Sequence, residues 1–278
     1  MSVQLSPIIA GVMNWGVWDK NLNTNEFTHL INLFIENGIT TFDHADIYGG
    51  YTTEASFGKA LSESKIDRKK IQLITKCGIQ YTSENRPNNT IKHYEYSKDY
   101  IIWSAENSLK NLQTDYLDVF LLHRPSPLMQ ADEIAEAVSK LKADGKILSF
   151  GVSNFTPFQT ELLRQKTEIS FNQVQFSATH HEAMLDGSFD YMQIHNIKPM
   201  AWNPLGTVFR ENTDQTFRLR QLLAKLVEKY HMGSDIILLA WIMQHPAGIS
   251  PVAGTVNSGR IQQLMKAKSL VLDKQDWF

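Results

Sequence analysis

The chain has 278 residues, of which 42% are hydrophobic and 20% are charged, so it is long enough for one large core and has an ordinary globular composition. Its 27 lysines and arginines against 29 acidic residues give a formal charge of −2, which argues against the broad basic face that nucleic acid binding requires. No apolar run reaches the roughly 18 residues of a membrane span, and the first residues lack the pattern of a signal peptide. We therefore expect a cytoplasmic protein with neither a nucleic acid nor a membrane partner.

Apolar runs of strand length recur along the chain, with segments of helical character between them. Several of these runs, such as "LDVFLL", are apolar on both faces, as parallel strands covered by helices must be. The eight predicted strands are residues 8–13, 39–42, 71–76, 117–123, 147–153, 171–177, 198–202 and 249–253.

Amphipathic segments separate the predicted strands. Residues 24–37 and 130–144 end in Asn-Gly and Asp-Gly, which is typical of helix C-termini. The region 214–245 is long enough for two helices broken at Gly233-Ser234. The stretch 78–97 is unusually long for a strand-to-helix loop, and we expect it to cover or shape a site.

Alternation of strands and helices indicates an α/β fold, either an open doubly wound sheet or a closed (β/α)8 TIM barrel. An open dinucleotide-binding sheet should carry G-x-G-x-x-G after its first strand, whereas here the first strand leads into "MNWGVWD". Eight strands without a linker, repeat or low-complexity tract favour the barrel. We predict a single domain spanning residues 1–278.

Polar residues follow the predicted strands repeatedly, at the end where the chemistry of a barrel of this type is located. They are Asp43, Lys76, His123, the pair Ser153 and Asn154, and the pair Trp202 and Asn203. Three ionisable groups at one rim, with Tyr48 nearby as a fourth, are harder to explain as structural residues than any one of them alone.

Three of these groups, with a nearby tyrosine, suggest proton transfer to a carbonyl. Asp43 can pair with Lys76, and an ammonium near the phenol of Tyr48 stabilises the phenolate, which would lower a pKa of about 10 toward the working range. Tyr48 can then donate a proton to a carbonyl oxygen while His123 donates a hydrogen bond that orients it. This is the chemistry of carbonyl reduction, provided that a hydride source is present.

The same stretch, "DHAD", also offers metal ligands. Asp43, His44 and Asp46 supply oxygen and nitrogen donors, and metal-dependent hydrolases with a barrel fold place ligands at strand ends. Such a site needs further histidines or acids after later strands, and only His123 meets that need. Cys77 is the only cysteine, which excludes an internal disulfide or a multi-thiolate centre, and its apolar surroundings predict a buried side chain.

At this point the residues resemble a known family. Asp43, Tyr48, Lys76 and His123, each in its expected strand or loop setting, resemble the catalytic tetrad of the aldo-keto reductases, which are NAD(P)H-dependent (β/α)8 barrels. The stretches "FDHADIYG", "GVSNF", "NQVQFS", "AWNPLG" and "AGTVNSGRI" occur in the family's order and spacing over nearly the whole chain. The sequences "FDHADIYGGY" and "LLHRPSPLM" together are most similar to those of a bacterial subgroup whose members are described only as oxidoreductases.

The resemblance implies a set of contacts to the nicotinamide half of NADP(H). Ser153, Asn154 and Gln173 are expected to hydrogen-bond the carboxamide, next to Asp43. Trp202 occupies the position of the aromatic residue that stacks on the nicotinamide ring.

The resemblance also implies how the rest of the cofactor is held. Leu205 and Gly206 lie in the loop that approaches the pyrophosphate, and Arg260 matches the arginine that binds the adenosine 2′-phosphate. Thr255 and Asn257 are expected to assist, with Asn257 suited to cap the next helix. Gly254 stands where many relatives have a lysine, so one phosphate contact is missing, although NADPH remains preferred over NADH.

The sequence thus predicts a cytoplasmic, NADPH-dependent reductase of small aldehydes or ketones, and a monomer. The alternative is a non-catalytic NADP(H)-binding regulatory subunit, similar to the channel β-subunits of the family, and a barrel metal hydrolase ranks below it. The substrate is not predicted, because the pocket depends on loops 15–21, 78–97 and 204–213. Trp15 is either a wall of that pocket or a packed core residue, and the aromatics Trp18, Tyr81 and Phe209 suggest an apolar substrate body.

Overall fold

A closed barrel of eight parallel strands, with helices around it, forms the protein, so the predicted (β/α)8 fold class is confirmed. The computed structural model describes residues 3–278. In chain order the strands are β1 (Ile9–Gly11), β2 (Thr41–Asp43), β3 (Gln72–Cys77), β4 (Ile79–Gln80), β5 (His93–Tyr94), β6 (Leu117–Leu122), β7 (Ile147–Ser153), β8 (Phe171–Gln175), β9 (Lys198–Trp202) and β10 (Ser250–Ala253). The barrel closes in the order β1-β10-β9-β8-β7-β6-β3-β2, and each of the eight predicted strands is present.

The helices pack on the outside of the barrel or cover its ends. They are α1 (Thr24–Glu36), α2 (Tyr48–Tyr51), α3 (Thr53–Glu63), α4 (Lys98–Leu112), α5 (Ala131–Ala143), α6 (Pro157–Arg164), α7 (Ser188–Ile194), α8 (Asp214–Tyr230), α9 (Ser234–Met243), α10 (Ser258–Leu264), α11 (Lys266–Ser269) and α12 (Lys274–Trp277), with short 3-10 turns at Arg68–Lys70 and Glu182–Met184. The region 214–245 does form two helices, α8 and α9, as predicted.

Helix α1 shows how local sequence sets the bounds of an element. Asn23 accepts a hydrogen bond from the Glu26 backbone while the Glu26 carboxylate accepts one from the Asn23 backbone, and this capping box begins the helix. At the other end Gly38 has a φ of +77°, the left-handed conformation that terminates helices. The predicted C-terminal signal of this helix is therefore confirmed.

The inside of the barrel is divided into an apolar floor and a polar upper layer. The floor consists of inward-facing residues from different strands: Ile9, Ile74, Val119, Leu121, Phe171, Met200 and Val252. On β3 side chains alternate, so that Leu73 and Cys77 pack outward against the helices while Ile74 faces inward. The next inward position after Ile74 is Lys76, which places an ammonium directly above the apolar floor.

Trp15 belongs to the core and does not form a wall of a pocket. Its side chain is fully buried and contacts the rings of Phe27, Phe34, Phe42 and Phe57, with centroid distances of 5.5 to 6.3 Å. This aromatic cluster fills the space between strand β2 and helices α1 and α3. The pocket-wall interpretation of Trp15 is therefore wrong, and the packed-indole interpretation holds.

The stretch 78–97 contains regular structure that the sequence did not reveal. Strands β4 and β5 form an antiparallel pair in which Gln80 lies opposite His93, and the Glu95 backbone donates to the Gly78 carbonyl at 2.9 Å. The two ends of the long connection are thereby tied to each other beside β3. Within residues 3–278, no helix combines the length and the apolar character needed to cross a membrane.

The burial of Trp15 leads to a prediction about stability. Trp15→Ala should lower the free energy of unfolding by about 3–5 kcal/mol, because it removes a large ring from a packed cluster and leaves a cavity. Urea unfolding followed by circular dichroism measures this change. The matched variant Trp18→Ala removes an indole that is 42% exposed and should cost less than about 1 kcal/mol. Equal losses in the two variants would contradict the assignment.

Candidate active site

A cavity of about 720 Å³ opens at the carboxyl ends of the barrel strands. Its lining includes residues that end or follow β1, β2, β6, β7, β9 and β10, as the strand-end pattern predicted, together with Gln173 from within β8. Asp43, Tyr48 and His123 lie on its wall, and Lys76 lies just behind them with no exposed surface. The four predicted catalytic residues are thus brought together at one place.

The centre of this site is a buried ion pair. Lys76 Nζ donates to both carboxylate oxygens of Asp43 at 2.8 Å and to the His44 carbonyl at 2.8 Å. It also donates to the hydroxyl oxygen of Tyr48 at 3.2 Å. Gln173 Nε2 donates to Asp43 Oδ1 at 2.9 Å from across the barrel. The carboxylate and the ammonium are therefore both paired and hydrogen-bonded, which a buried charge requires.

The loop after β2 brings Tyr48 back over the pair. The Asp46 backbone donates to the Lys76 carbonyl at 3.0 Å, so the loop continues along β3 beyond the end of its own strand. Gly49 follows Tyr48 with a φ of +61°, and a Cβ there would collide with the Thr53 hydroxyl. Glycine is required at this turn because it has no side chain and tolerates positive φ.

The pKa of Tyr48 differs from the expectation. Burial raises the pKa of the phenol, Lys76 lowers it and Asp43 raises it, and the net shift is upward. The predicted net lowering of the phenol pKa is therefore wrong, because the desolvation of the phenolate outweighs the nearby ammonium. Burial alone would lower the pKa of Lys76, but Asp43 and Tyr48 reverse this and hold it above its ordinary value. Tyr48 is thus a neutral phenol, and Lys76 a charged ammonium, at neutral pH.

His123 faces Tyr48 across the cavity wall, with ring centroids 6.1 Å apart. Its Nδ1 is enclosed and has no hydrogen-bond partner among the described residues. Burial lowers the pKa of the imidazole well below its ordinary range, and the positive charges of Lys76, Arg124 and Lys92 lower it further. The ring is therefore neutral at physiological pH and presents an uncharged imidazole to the cavity.

Ser153, Asn154, Gln173 and Trp202 lie side by side on the wall opposite the phenol. The Trp202 indole N–H donates to Asn154 Oδ1 at 2.8 Å, and Asn154 Nδ2 donates to Ser153 Oγ at 2.8 Å. Ser153 Oγ in turn donates to the Gln173 carbonyl at 2.9 Å. These four predicted cofactor residues form one connected network, in which the amide of Asn154 already holds the indole ring.

The remaining predicted cofactor residues lie further along the same cavity, with one exception. Leu205, Gly206, Gly254, Thr255 and Arg260 all line it. Asn257 does not, because its side-chain oxygen accepts from the Arg260 backbone at 3.0 Å and caps helix α10. Asn257 therefore has the capping geometry expected for it and positions the helix that carries the arginine.

The acidic and histidine side chains of "DHAD" do not converge, which argues against the metal alternative. Asp43 is paired with Lys76, whereas the His44 ring packs edge-on against Phe57 at 4.4 Å. Asp46 accepts from the Ser104 hydroxyl at 3.3 Å behind the barrel wall. No group of three or more potential metal ligands occurs in the part of the chain that the structure describes.

Several residues of the cavity were not identified from the sequence. The charged residues among them are the cations Lys92, Arg124 and Arg210 and the acid Asp235. Arg124 directly follows His123, and this adjacency was the one signal available. Lys92 immediately precedes β5 of the antiparallel strand pair, which the sequence did not reveal. Of the predicted aromatics, Trp18 and Phe209 line the cavity, while Tyr81 contacts the Trp18 ring at 6.1 Å.

The structure is a parallel barrel, and a phenol lies against a buried lysine–carboxylate pair at its mouth. This fold and this site agree with those of the oxidoreductase family that the sequence resembles. The chain belongs to the aldo/keto reductase family, whose sequence model matches residues 7–278. The predicted family is therefore confirmed.

Curated relatives and a solved structure support the same assignment. The oxidoreductase YcsN of Bacillus subtilis strain 168 is 44% identical and covers 99% of this chain and 93% of its own length. A 6-dehydroglucose reductase of Agrobacterium fabrum strain C58 is 35% identical and covers 99% of this chain and 93% of its own. The crystal structure of an aldo/keto reductase from Klebsiella pneumoniae in complex with NADP and acetate is 25% identical, covers 98% of this chain and 89% of its own, and superposes with a TM-score of 0.81.

The burial of His44 leads to a prediction of pH dependence. Burial, followed by the charge of Lys76, lowers the pKa of this ring to about 3, so below pH 6.5 the unfolded chain binds a proton that the folded chain excludes. The wild type should therefore lose stability relative to His44→Leu as the pH falls from 6.5 toward 3, with a slope approaching about 1.4 kcal/mol per pH unit. Urea unfolding at several pH values measures the difference, and the same pH dependence in the two proteins would contradict the prediction.

Proposed function

We propose that the protein reduces aldehydes or ketones to alcohols with NADPH and that Tyr48 is the proton donor. One observation carries the proposal: the Tyr48 hydroxyl lies on the cavity wall, 3.2 Å from an ammonium that is itself held by a buried carboxylate. Because the ammonium donates to the phenolic oxygen, the phenolic hydrogen is left for an acceptor in the cavity. A carbonyl oxygen is such an acceptor.

The residues present fit NADP(H). The cavity offers a planar indole face at Trp202 next to amide and hydroxyl groups, which suit a nicotinamide ring and its carboxamide. At the other end Arg260 is exposed, and among residues 3–278 no hydrogen bond or ion pair of its guanidinium group is found. A free guanidinium fork suits a phosphate. The Klebsiella relative crystallised with NADP supports the same cofactor.

We assign the cofactor contacts from the nicotinamide end of the cavity to the adenosine end. Ser153, Asn154 and Gln173 hold the carboxamide. Leu205 and Gly206 approach the pyrophosphate, and Arg260 with Thr255 binds the adenosine end, while Asn257 acts by capping the helix of Arg260. Gly254 contributes only backbone, so Arg260 supplies most of the selectivity for the 2′-phosphate.

The reaction follows from the protonation states of the site. NADPH, when bound in this cavity, would supply the hydride for the carbonyl carbon. Neutral His123 donates a hydrogen bond that orients the carbonyl oxygen, and Tyr48 gives its proton to that oxygen as negative charge develops there. Lys76 stabilises the phenolate left behind, and Asp43 keeps Lys76 charged in spite of its burial. Hydride and proton together convert the carbonyl to an alcohol.

The first test removes the proton donor. Tyr48→Phe should lower kcat by about 10²–10⁴-fold, which is the usual contribution of a positioned general acid, while the affinity for NADPH is retained. NADPH absorbance with a panel of aldehydes and ketones measures turnover. Tyr116→Phe, at the opposite end of the barrel where Arg68 lies 4.1 Å from the ring, is the matched control and should keep full activity. Tight NADPH binding by the wild type without turnover of any carbonyl would instead favour the non-catalytic regulatory subunit.

The second test concerns the choice of cofactor. Arg260→Gln should weaken NADPH binding by about 10–100-fold, the loss of one or two charge-assisted hydrogen bonds, and weaken NADH binding far less. Titration of tryptophan emission, with Trp202 in the site, measures both affinities. Arg218→Gln, at an exposed position of α8 outside the cavity, is the control. A parallel loss of NADH affinity would show that Arg260 does not read the 2′-phosphate.

A further inference from the structure

The cations of the cavity form two pairs on opposite sides of the barrel. Lys92 and Arg124 lie on the connections that follow β3 and β6, which are neighbouring strands. Arg210 and Arg260 lie on the segments that follow β9 and β10, which also adjoin each other. Two strands separate the pairs in either direction around the barrel. The two pairs therefore face different parts of the same cavity.

The second pair is accounted for by the proposed cofactor. Arg260 faces the adenosine end, and Arg210 donates to Asn203 Oδ1 and to the Gly206 carbonyl, each at 2.7 Å, which stabilises the loop that approaches the pyrophosphate. The nicotinamide at Trp202 carries no anionic group for the first pair to bind. Lys92 and Arg124 thus line the same cavity as Tyr48 and His123 without an anionic group of the dinucleotide to bind.

The backbone of both residues of the first pair is held in place at the cavity. Lys92 immediately precedes β5, whose pairing with β4 fixes the backbone at the cavity edge. Arg124 is anchored by Tyr96, whose hydroxyl donates to the Arg124 carbonyl at 2.5 Å and accepts from its backbone N–H at 3.2 Å. The Arg124 guanidinium lies 5.4 Å from the centre of the Trp202 ring. The pair is therefore positioned at the catalytic end of the cavity.

Neither cation has an anionic partner. None of the ion pairs between described residues includes Lys92 or Arg124. Of the two carboxylates that line the cavity, Asp43 is paired with Lys76, and Asp235 forms no ion pair with either cation. Both charges also act on the His123 ring, after the larger effects of burial and Lys76, so both lie within electrostatic reach of the reacting groups. An unneutralised pair of positive charges at this place favours an anion.

We infer that the carbonyl substrate carries a carboxylate or phosphate group, which Lys92 and Arg124 bind while the carbonyl faces Tyr48 and His123. This inference rests on the proposed function. Trp18 and Ile79, which line the same cavity, cover the apolar part of the substrate between its charged end and its carbonyl. The substrate class is therefore a small anionic aldehyde or ketone.

The test compares substrates that differ only in charge. With NADPH saturating, kcat/KM is measured for succinate semialdehyde and for its methyl ester, and likewise for phosphorylated and unphosphorylated glyceraldehyde. At least one charged member is expected to exceed its neutral partner by more than about tenfold, as charge-assisted hydrogen bonds would give. The pair with the larger ratio distinguishes a carboxylate from a phosphate. Raising the salt concentration from about 50 to about 500 mM should reduce the ratio.

Substitutions of the two cations then test whether they cause the preference for the charged substrate. Lys92→Gln and Arg124→Gln should each lower the ratio of charged to neutral kcat/KM several-fold, mainly through KM. Lys92→Arg keeps the positive charge and should keep the ratio of the wild type. Lys225→Gln, at an exposed position of α8 far from the cavity, should leave the ratio unchanged. Equal turnover of the charged and neutral members by the wild type overturns this inference and leaves the proposed function intact. The absence of turnover for all four compounds and for a wider carbonyl panel overturns the proposed function itself.

Discussion

The buried pair of Lys76 and Asp43 is the constraint on which the rest of the site depends. An ammonium with no exposed surface is tolerated only if its charge is compensated and its protons are accepted. The barrel meets both needs by placing Asp43 on the adjacent strand and a carbonyl from the following loop within 2.8 Å. The phenol of Tyr48 and the amide of Gln173 complete this arrangement. A single electrostatic requirement thus fixes the relative positions of residues from three strands and one loop.

The same pair explains why the floor of the barrel and its mouth differ in character. Inward positions lower in the barrel are apolar and close-packed, so they exclude water beneath the ammonium. Above it, the ends of the strands present amides, hydroxyls and an imidazole to the cavity. Charges at this boundary interact strongly with groups in the cavity because the protein interior beneath them has a lower effective dielectric than bulk water. The neutral state of His123 and the protonated state of Tyr48 both follow from this partly desolvated environment.

Much of the architecture could be predicted from the sequence, because parallel strands buried on both faces are apolar runs and because polar residues that end them meet at one rim. Asp43, Tyr48, Lys76 and His123 were identified in this way, and the structure brings them together. The packing of Trp15 was not predictable, since an indole near a strand end is compatible with either environment. The net shift of the Tyr48 pKa depends on burial against the nearby ammonium, which no spacing of residues reveals. Lys92 was missed because two short antiparallel strands, too short to leave a sequence pattern, bring it to the site.

The hydrogen bond from the Trp202 indole to Asn154 has a consequence for the thermodynamics of recognition. Asn154 itself adopts a φ of +62°, and its amide also contacts Ser153 and the His123 carbonyl. The aromatic platform is therefore immobilised in the free protein, and little rotational freedom of this side chain remains to be lost when a planar guest arrives. Preorganisation of this kind favours rapid binding of a planar ligand ring, because the wall of the cavity does not first have to rearrange.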